Sequence, residues 1–154
     1  MADRPRPELF FDASALFAGV VSNAGAARAL LLLSEARAIT ITVSEQVIAE
    51  TERALARKAP TALPRYRQAL RTSGIRIVKD PSPAEVAAAQ GMIAHAPDLP
   101  ILVAAMKART GFLVTLNRRH FMDDPAVAQR SGLLIGALGD ALAWVRSQLE
   151  GAAG

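Results

Sequence analysis

Apolar and polar positions divide this chain into short β-branched runs separated by longer stretches with helical periodicity. Residues 9–11 form an apolar run that stops at Asp12, and residues 13–21 and 25–37 repeat apolar positions at helical spacing. Residues 39–43 read ITITV, β-branched throughout, and are the clearest strand. Ser44 follows as an N-cap, opening a helix that reaches Lys58. Pro60 and Pro64 bracket a break before a further helix, which ends near Ser73 and Gly74. Beyond it the pattern predicts a strand over 75–78, a turn over Asp80-Pro81-Ser82-Pro83 and a helix over 84–94. A helix over 98–109 with Gly111 as its terminator, a strand over 112–115 and a short fifth strand over 133–135 come next. An amphipathic helix over 139–149, carrying Trp144, closes the chain.

Short strands alternating with helices predict an α/β fold around a central parallel sheet of four to five strands. No repeat or linker interrupts it, so one domain spanning residues 1–154 is expected, with 1–7 and 151–154 flexible. Cysteine is absent. That excludes disulfide frameworks, thiolate zinc sites and cysteine nucleophiles, and a reducing, cytoplasmic setting is expected. The first eight residues are polar and proline-rich rather than signal-like, and no apolar run approaches a membrane span. A net charge of +4, carried mostly by arginine, suits an anionic partner. A GC-rich genome produces the same arginine excess, so charge alone decides nothing.

Ligands of open parallel sheets bind beyond the carboxyl ends of the strands, and acidic residues stand at such places here. Asp12 directly follows the first strand, and Asn117 lies two residues past the fourth. Asp98 and Glu50 occupy helix positions that can face the same edge. Carboxylates gathered there repel one another unless a hard cation neutralises them, and oxygen ligands suit Mg²⁺ or Mn²⁺. Each residue also has a structural role open to it. Asp12 can cap the helix that follows, and Asp98, preceding Leu99-Pro100, is a good N-cap. Glu50 and Glu52 flank the apolar stripe of their helix on opposite sides, so periodicity does not choose between them. His95 falls late on an Ala-rich helix and reads as a surface residue. The absence of GxGxxG, GxxxxGK[ST] and GxSxG loops speaks against nucleotide binding and serine hydrolysis.

Three segments together resemble the PIN-domain family: FFDASALFAGVVSNAGAARALL, ITITVSEQVIAETERAL and DLPILVAAMKARTGFLVTLNRRHF. The resemblance covers almost the whole chain. It implies a three-layer α/β/α fold and a Mg²⁺- or Mn²⁺-dependent endoribonuclease, often the toxin of a bacterial toxin–antitoxin module (VapC-type). It assigns the acidic triad to Asp12, Glu50 and Asp98, choosing Glu50 over Glu52, and gives Ser14 and Thr115 ancillary polar places. Many members carry a fourth carboxylate within segments similar to TLNRRHF, where this chain has Asn117 and His120. Asn117 can ligate through its carbonyl oxygen and His120 through nitrogen, while Asp123 and Asp124 lie close by in sequence. Three carboxylates with Asn117 predict one well-held ion and a better response to Mn²⁺ than to Mg²⁺. Arg118 and Arg119 are candidates for contacts with RNA phosphates. RNA is the expected partner, with a cognate antitoxin and a homodimer both open and no membrane involved. The alternative is a catalytically weakened module that binds RNA or a protein.

Overall fold

In the computed structural model, residues 5–22 and 24–153 are described, the side chains of 152 and 153 excepted. Five strands, β1 (Glu8–Phe11), β2 (Thr40–Ser44), β3 (Arg76–Val78), β4 (Phe112–Val114) and β5 (Leu134–Gly136), form one parallel sheet in the order β3-β2-β1-β4-β5. The helices flanking it are α1 (Ala13–Val21), α2 (Ala26–Glu35), α3 (Glu45–Lys58), α4 (Leu63–Thr72), α5 (Pro83–Ala88), α6 (Leu99–Lys107), α7 (Arg118–Phe121), α8 (Ala126–Ser131) and α9 (Leu138–Ala153). This is the expected three-layer α/β/α arrangement. Helices cover both faces of a parallel sheet, so its central strands must be apolar on both sides. Leu9, Phe10, Phe11, Ile41, Val43, Leu113 and Val114 are accordingly all fully buried.

Register positions the site. Phe11 lies opposite Val114 across β1 and β4, and the amide of Asp12 continues the ladder by donating to the Val114 carbonyl at 3.1 Å. Asp12 therefore emerges beside Thr115. The chain runs outward from β1 to β2 and β3 on one side and resumes with β4 and β5 on the other. The gap between β1 and β4 is the topological switch point, where open α/β sheets bind ligands.

Several boundaries differ from the sequence expectation, each for a local reason. The helix expected over 84–94 ends at Ala88, because Gly91 takes a left-handed backbone (φ +92°) that an α-helix cannot continue through. A 3-10 turn over Ala96–Asp98 then precedes α6, so His95 lies on no helix. Gly111 does not terminate α6; Arg109 supplies the left-handed residue (φ 57°) just past the helix end. Gly111 has a different task. A Cβ there would stand 2.9 Å from the Trp144 ring, so glycine is what lets α9 lie against the start of β4. At the chain ends, the Pro7 carbonyl accepts from the Thr40 amide at 3.0 Å, and α9 runs on to Ala153, past the expected end at 149. The remaining residues expected to be flexible, 1–4 and 154, lie outside the described residues. Among those described, no single helix is long and apolar enough to cross a membrane.

Candidate metal centre

Asp12 is a residue with two attachments. As the N-cap of α1, its Oδ1 accepts from the Ala15 amide at 2.9 Å and from the Ser14 hydroxyl at 2.6 Å. Its Oδ2 accepts from the Thr115 hydroxyl. Capping and a place in the site are thus compatible, because a carboxylate has lone pairs beyond those the cap uses. Ser14 and Thr115 are themselves held from behind. The Leu116 amide donates to Ser14 Oγ at 3.0 Å and the Asn117 amide to Thr115 Oγ1 at 2.9 Å. Two parallel chains therefore run from loop amide through hydroxyl to carboxylate, and tie the loop after β4 to Asp12.

The carboxyl is only 7% exposed. Burial pushes its pKa above the ordinary value; the bonds from Ser14, Thr115 and Ala15 pull it back, and the charge of Asp98 adds to the upward push.

Glu50 and Asp98 reach the same place from other elements. Asp12, Ser14, Glu50, Asp98 and Asn117 line one cleft of about 140 Å³, with Ile101 and Phe121 as its apolar wall. Glu50, on α3, is half-buried and accepts from Gln46 Nε2 at 2.7 Å, while Glu52 is exposed. Of the two flanks that periodicity left open, Glu50 lines the cleft and Glu52 does not.

Asp98 sits at the N-cap position of α6 but its side chain makes no capping bond. Its Oδ2 instead takes His95 Nδ1 at 2.9 Å and His120 Nδ1 at 2.7 Å, and the two imidazoles stack with centroids 3.8 Å apart. His95, expected as a surface residue, is exposed, and its ring also reaches Asp98 at the edge of the cleft. No sequence signal marked it: its partner lies 25 residues on, at His120, and the helix on which it was placed does not reach it.

Asn117 caps α7, its Oδ1 accepting from the His120 amide at 3.3 Å, and its Nδ2 stands 2.8 Å from His120 Nδ1. Arg118 and Arg119 are exposed on α7 beside the cleft. Asp123 and Asp124 are exposed too; Asp124 accepts from the Ala126 amide at 3.0 Å, and neither lines the cleft.

Does this donor set suit a hard dication? Among the described residues, no lysine or arginine pairs with Asp12, Glu50 or Asp98, although the chain holds 18 such cations. Three carboxylates share a small cleft with a carboxamide, and the most buried of them is destabilised as an anion by its surroundings. That is an all-oxygen set without a lysine or arginine counter-charge, a chemistry that a hard divalent cation fits.

Residues 8–119 match a family model described as PIN domain. The chain belongs to the PIN-domain family. PIN domains are in general nucleases that use divalent metals. Solved structures agree on the fold. A crystal structure of PAE2754 from Pyrobaculum aerophilum superposes with a TM-score of 0.63 at 21% identity, covering 92% of this chain and 90% of that one. A crystal structure of VapBC2 from Rickettsia felis, bound to a DNA fragment from their promoter, gives 0.59 at 18% identity, with coverage of 84% and 98%. A comparison with curated protein sequences finds no match.

Proposed function

We propose that this PIN domain is a Mg²⁺- or Mn²⁺-dependent endoribonuclease, with Asp12, Glu50 and Asp98 as its catalytic metal ligands and Asn117 beside them. The observation that carries the reading is the meeting of three carboxylates, none paired with a lysine or arginine among the described residues, from the end of β1, from α3 and from the start of α6, in one cleft at the switch point. A bound hard dication supplies charge neutralisation at a phosphate and acidifies an attacking water.

The chain's own residues do the rest. Ser14 and Thr115 fix both oxygens of Asp12, so this ligand is oriented before any substrate arrives. Gln46 holds Glu50 on the opposite side. Arg118 and Arg119, exposed on α7, offer contacts to the phosphates that flank a scissile bond. The fold shared with VapBC2 supports a place in a toxin–antitoxin module, with a cognate antitoxin as protein partner. We take residues 1–154 to act as one such domain.

One observation favours a second reading. By the family resemblance, Asn117 and His120 stand where many members carry a carboxylate, and Asn117 Oδ1 already accepts the His120 amide as the cap of α7. A domain so altered binds RNA or a protein without cutting it.

End-labelled RNA incubated with the purified chain separates the two. Cleavage that needs added Mn²⁺ or Mg²⁺, is stopped by a chelator, and disappears in Asp12→Asn and Glu50→Gln but persists in Glu52→Gln is the expected result. Equal behaviour of the Glu50 and Glu52 variants would refute the assignment, and RNA retained uncut by the parent would establish the binding module.

A further inference from the structure

We propose that His95, Asp98 and His120 form a second metal site, suited to a borderline first-row dication such as Zn²⁺ or Co²⁺, at the rim of the carboxylate cleft. The chain has only two histidines, and folding brings both onto a single carboxylate oxygen. One ligand atom from each of the three residues can be chosen so that all lie within 4.8 Å of one another. Donors around a tetrahedral ion bonded at about 2.1 Å stand roughly 3.4 Å apart. The two nitrogens, at 2.9 and 2.7 Å from Asp98 Oδ2, therefore need to withdraw by only a fraction of an ångström.

The donor chemistry differs from that of the cleft. Two imidazoles and a carboxylate favour zinc, cobalt, nickel or iron over magnesium and calcium, which want oxygen throughout. With three protein ligands, solvent takes the remaining position.

Ring geometry shows what binding must change. The imidazoles now stack at 15°, so their lone pairs lie in nearly parallel planes. Ligation has to fan them apart until both Nδ1 atoms aim at one point. The His95 side chain is 44% exposed and that of His120 28%, so His95 is the ring freer to make the movement. Both Nδ1 atoms stand against Asp98 Oδ2, and His120 Nδ1 also lies 2.8 Å from Asn117 Nδ2; ligation takes the Nδ1 lone pair, so the proton of each ligating ring is carried on Nε2. Asp98 is also free to serve two ions. Its Oδ2 takes both histidines, whereas Oδ1 accepts no hydrogen bond among the described residues, and Asp98 lines the carboxylate cleft.

The test uses tag-free, chelator-stripped protein, because a polyhistidine tag would add competing imidazoles. Zn²⁺ is titrated by calorimetry and by ¹⁵N NMR of the two imidazoles, in parallel with the Mg²⁺-induced rise in melting temperature. We expect one Zn²⁺ per chain with both imidazole signals shifting together and Nδ1 becoming the metallated nitrogen. His95→Ala should weaken Zn²⁺ binding by at least about tenfold and leave the Mg²⁺ response intact. Removing both histidines should abolish the imidazole-linked site. Two results would overturn the proposal: imidazole signals that Zn²⁺ leaves in place, or a double variant that binds Zn²⁺ as tightly as the parent, meaning that the ion sits among the carboxylates. Zinc-shifted imidazoles without any Mg²⁺ response would uphold this site while counting against the hard-metal ribonuclease reading.

Discussion

The two walls of the cleft are built on different principles. The wall at the strand ends is backbone work: ladder register brings Asp12 beside Thr115, and each hydroxyl on the carboxylate is backed by a loop amide. The facing wall depends on side chains from the segment before α6 and from the short helix α7, with His95 and His120 meeting at Asp98 while still partly open to water. The first wall is fixed by the same bonds that make the sheet. The second rests on side-chain contacts alone, with the His95 and His120 rings 44% and 28% exposed. A preorganised ligand thus stands opposite an adjustable one, an arrangement that tolerates ions of different size and geometry.

Metal stabilisation tests the contrast most strongly. At a hundredfold excess over its dissociation constant, Mg²⁺ or Mn²⁺ should add about 2.7 kcal/mol, or roughly 5–10 °C in melting temperature for a chain of this size. Asp12→Asn should remove that gain. It should leave the metal-free fold as stable or more so, since it ends the burial of a carboxyl whose charged form its surroundings disfavour. Metal stabilisation unchanged in the variant would mean that the rigid wall does not hold the ion.

Thr115→Val comes next. It keeps the shape of a fully buried side chain but deletes the donor to Asp12 and the acceptor for the Asn117 amide. Urea titration should show a loss of about 1–3 kcal/mol. On the adjustable wall, His95→Ala should change metal-free stability by no more than about 0.5 kcal/mol, because the ring it removes is exposed. A cost for His95→Ala equal to that of Thr115→Val would erase the distinction between the walls.

The smallest effect concerns what braces the adjustable wall. Lys107, at the end of α6, reaches back to Glu85 on α5, and with the Ser82 amide it holds that carboxyl down to about 2. A depressed carboxyl contributes stability above its unfolded value of 4.5 and loses it as the pH falls toward 2. Lys107→Ala should therefore be slightly less stable than the parent at neutral pH, and the gap should close between pH 4.5 and 2. Because the pair is at the surface, high salt should close the gap as well.

How much of this was legible beforehand follows the same division. Asp12 could be read because an apolar strand ending in an acidic residue is a local pattern, and the Ser44 cap was realised for the same reason, its hydroxyl accepting from the Val47 amide at 3.3 Å. Glu50 needed more than periodicity, since only tertiary packing buries one flank of α3 and exposes the other. Asp98 was misleading in one respect: its position has every feature of a cap, yet its side chain turns to the histidines instead. The histidine pair was not legible at all. An alanine-rich run suggested a helix through residue 94, one left-handed glycine ended it, and no pattern in one dimension links residues 95 and 120.

The close approach of Trp144 to Gly111 makes the protein its own spectroscopic control. This sole tryptophan lies at the amino end of β4, tilted against Phe112 with centroids 5.5 Å apart, while the cleft opens at the strands' opposite end. Its emission will follow unfolding of the sheet and the undocking of α9 but will be nearly blind to ions entering the cleft. An ion that quenches or shifts tryptophan fluorescence without raising the melting temperature is therefore perturbing the chain somewhere other than its carboxylates.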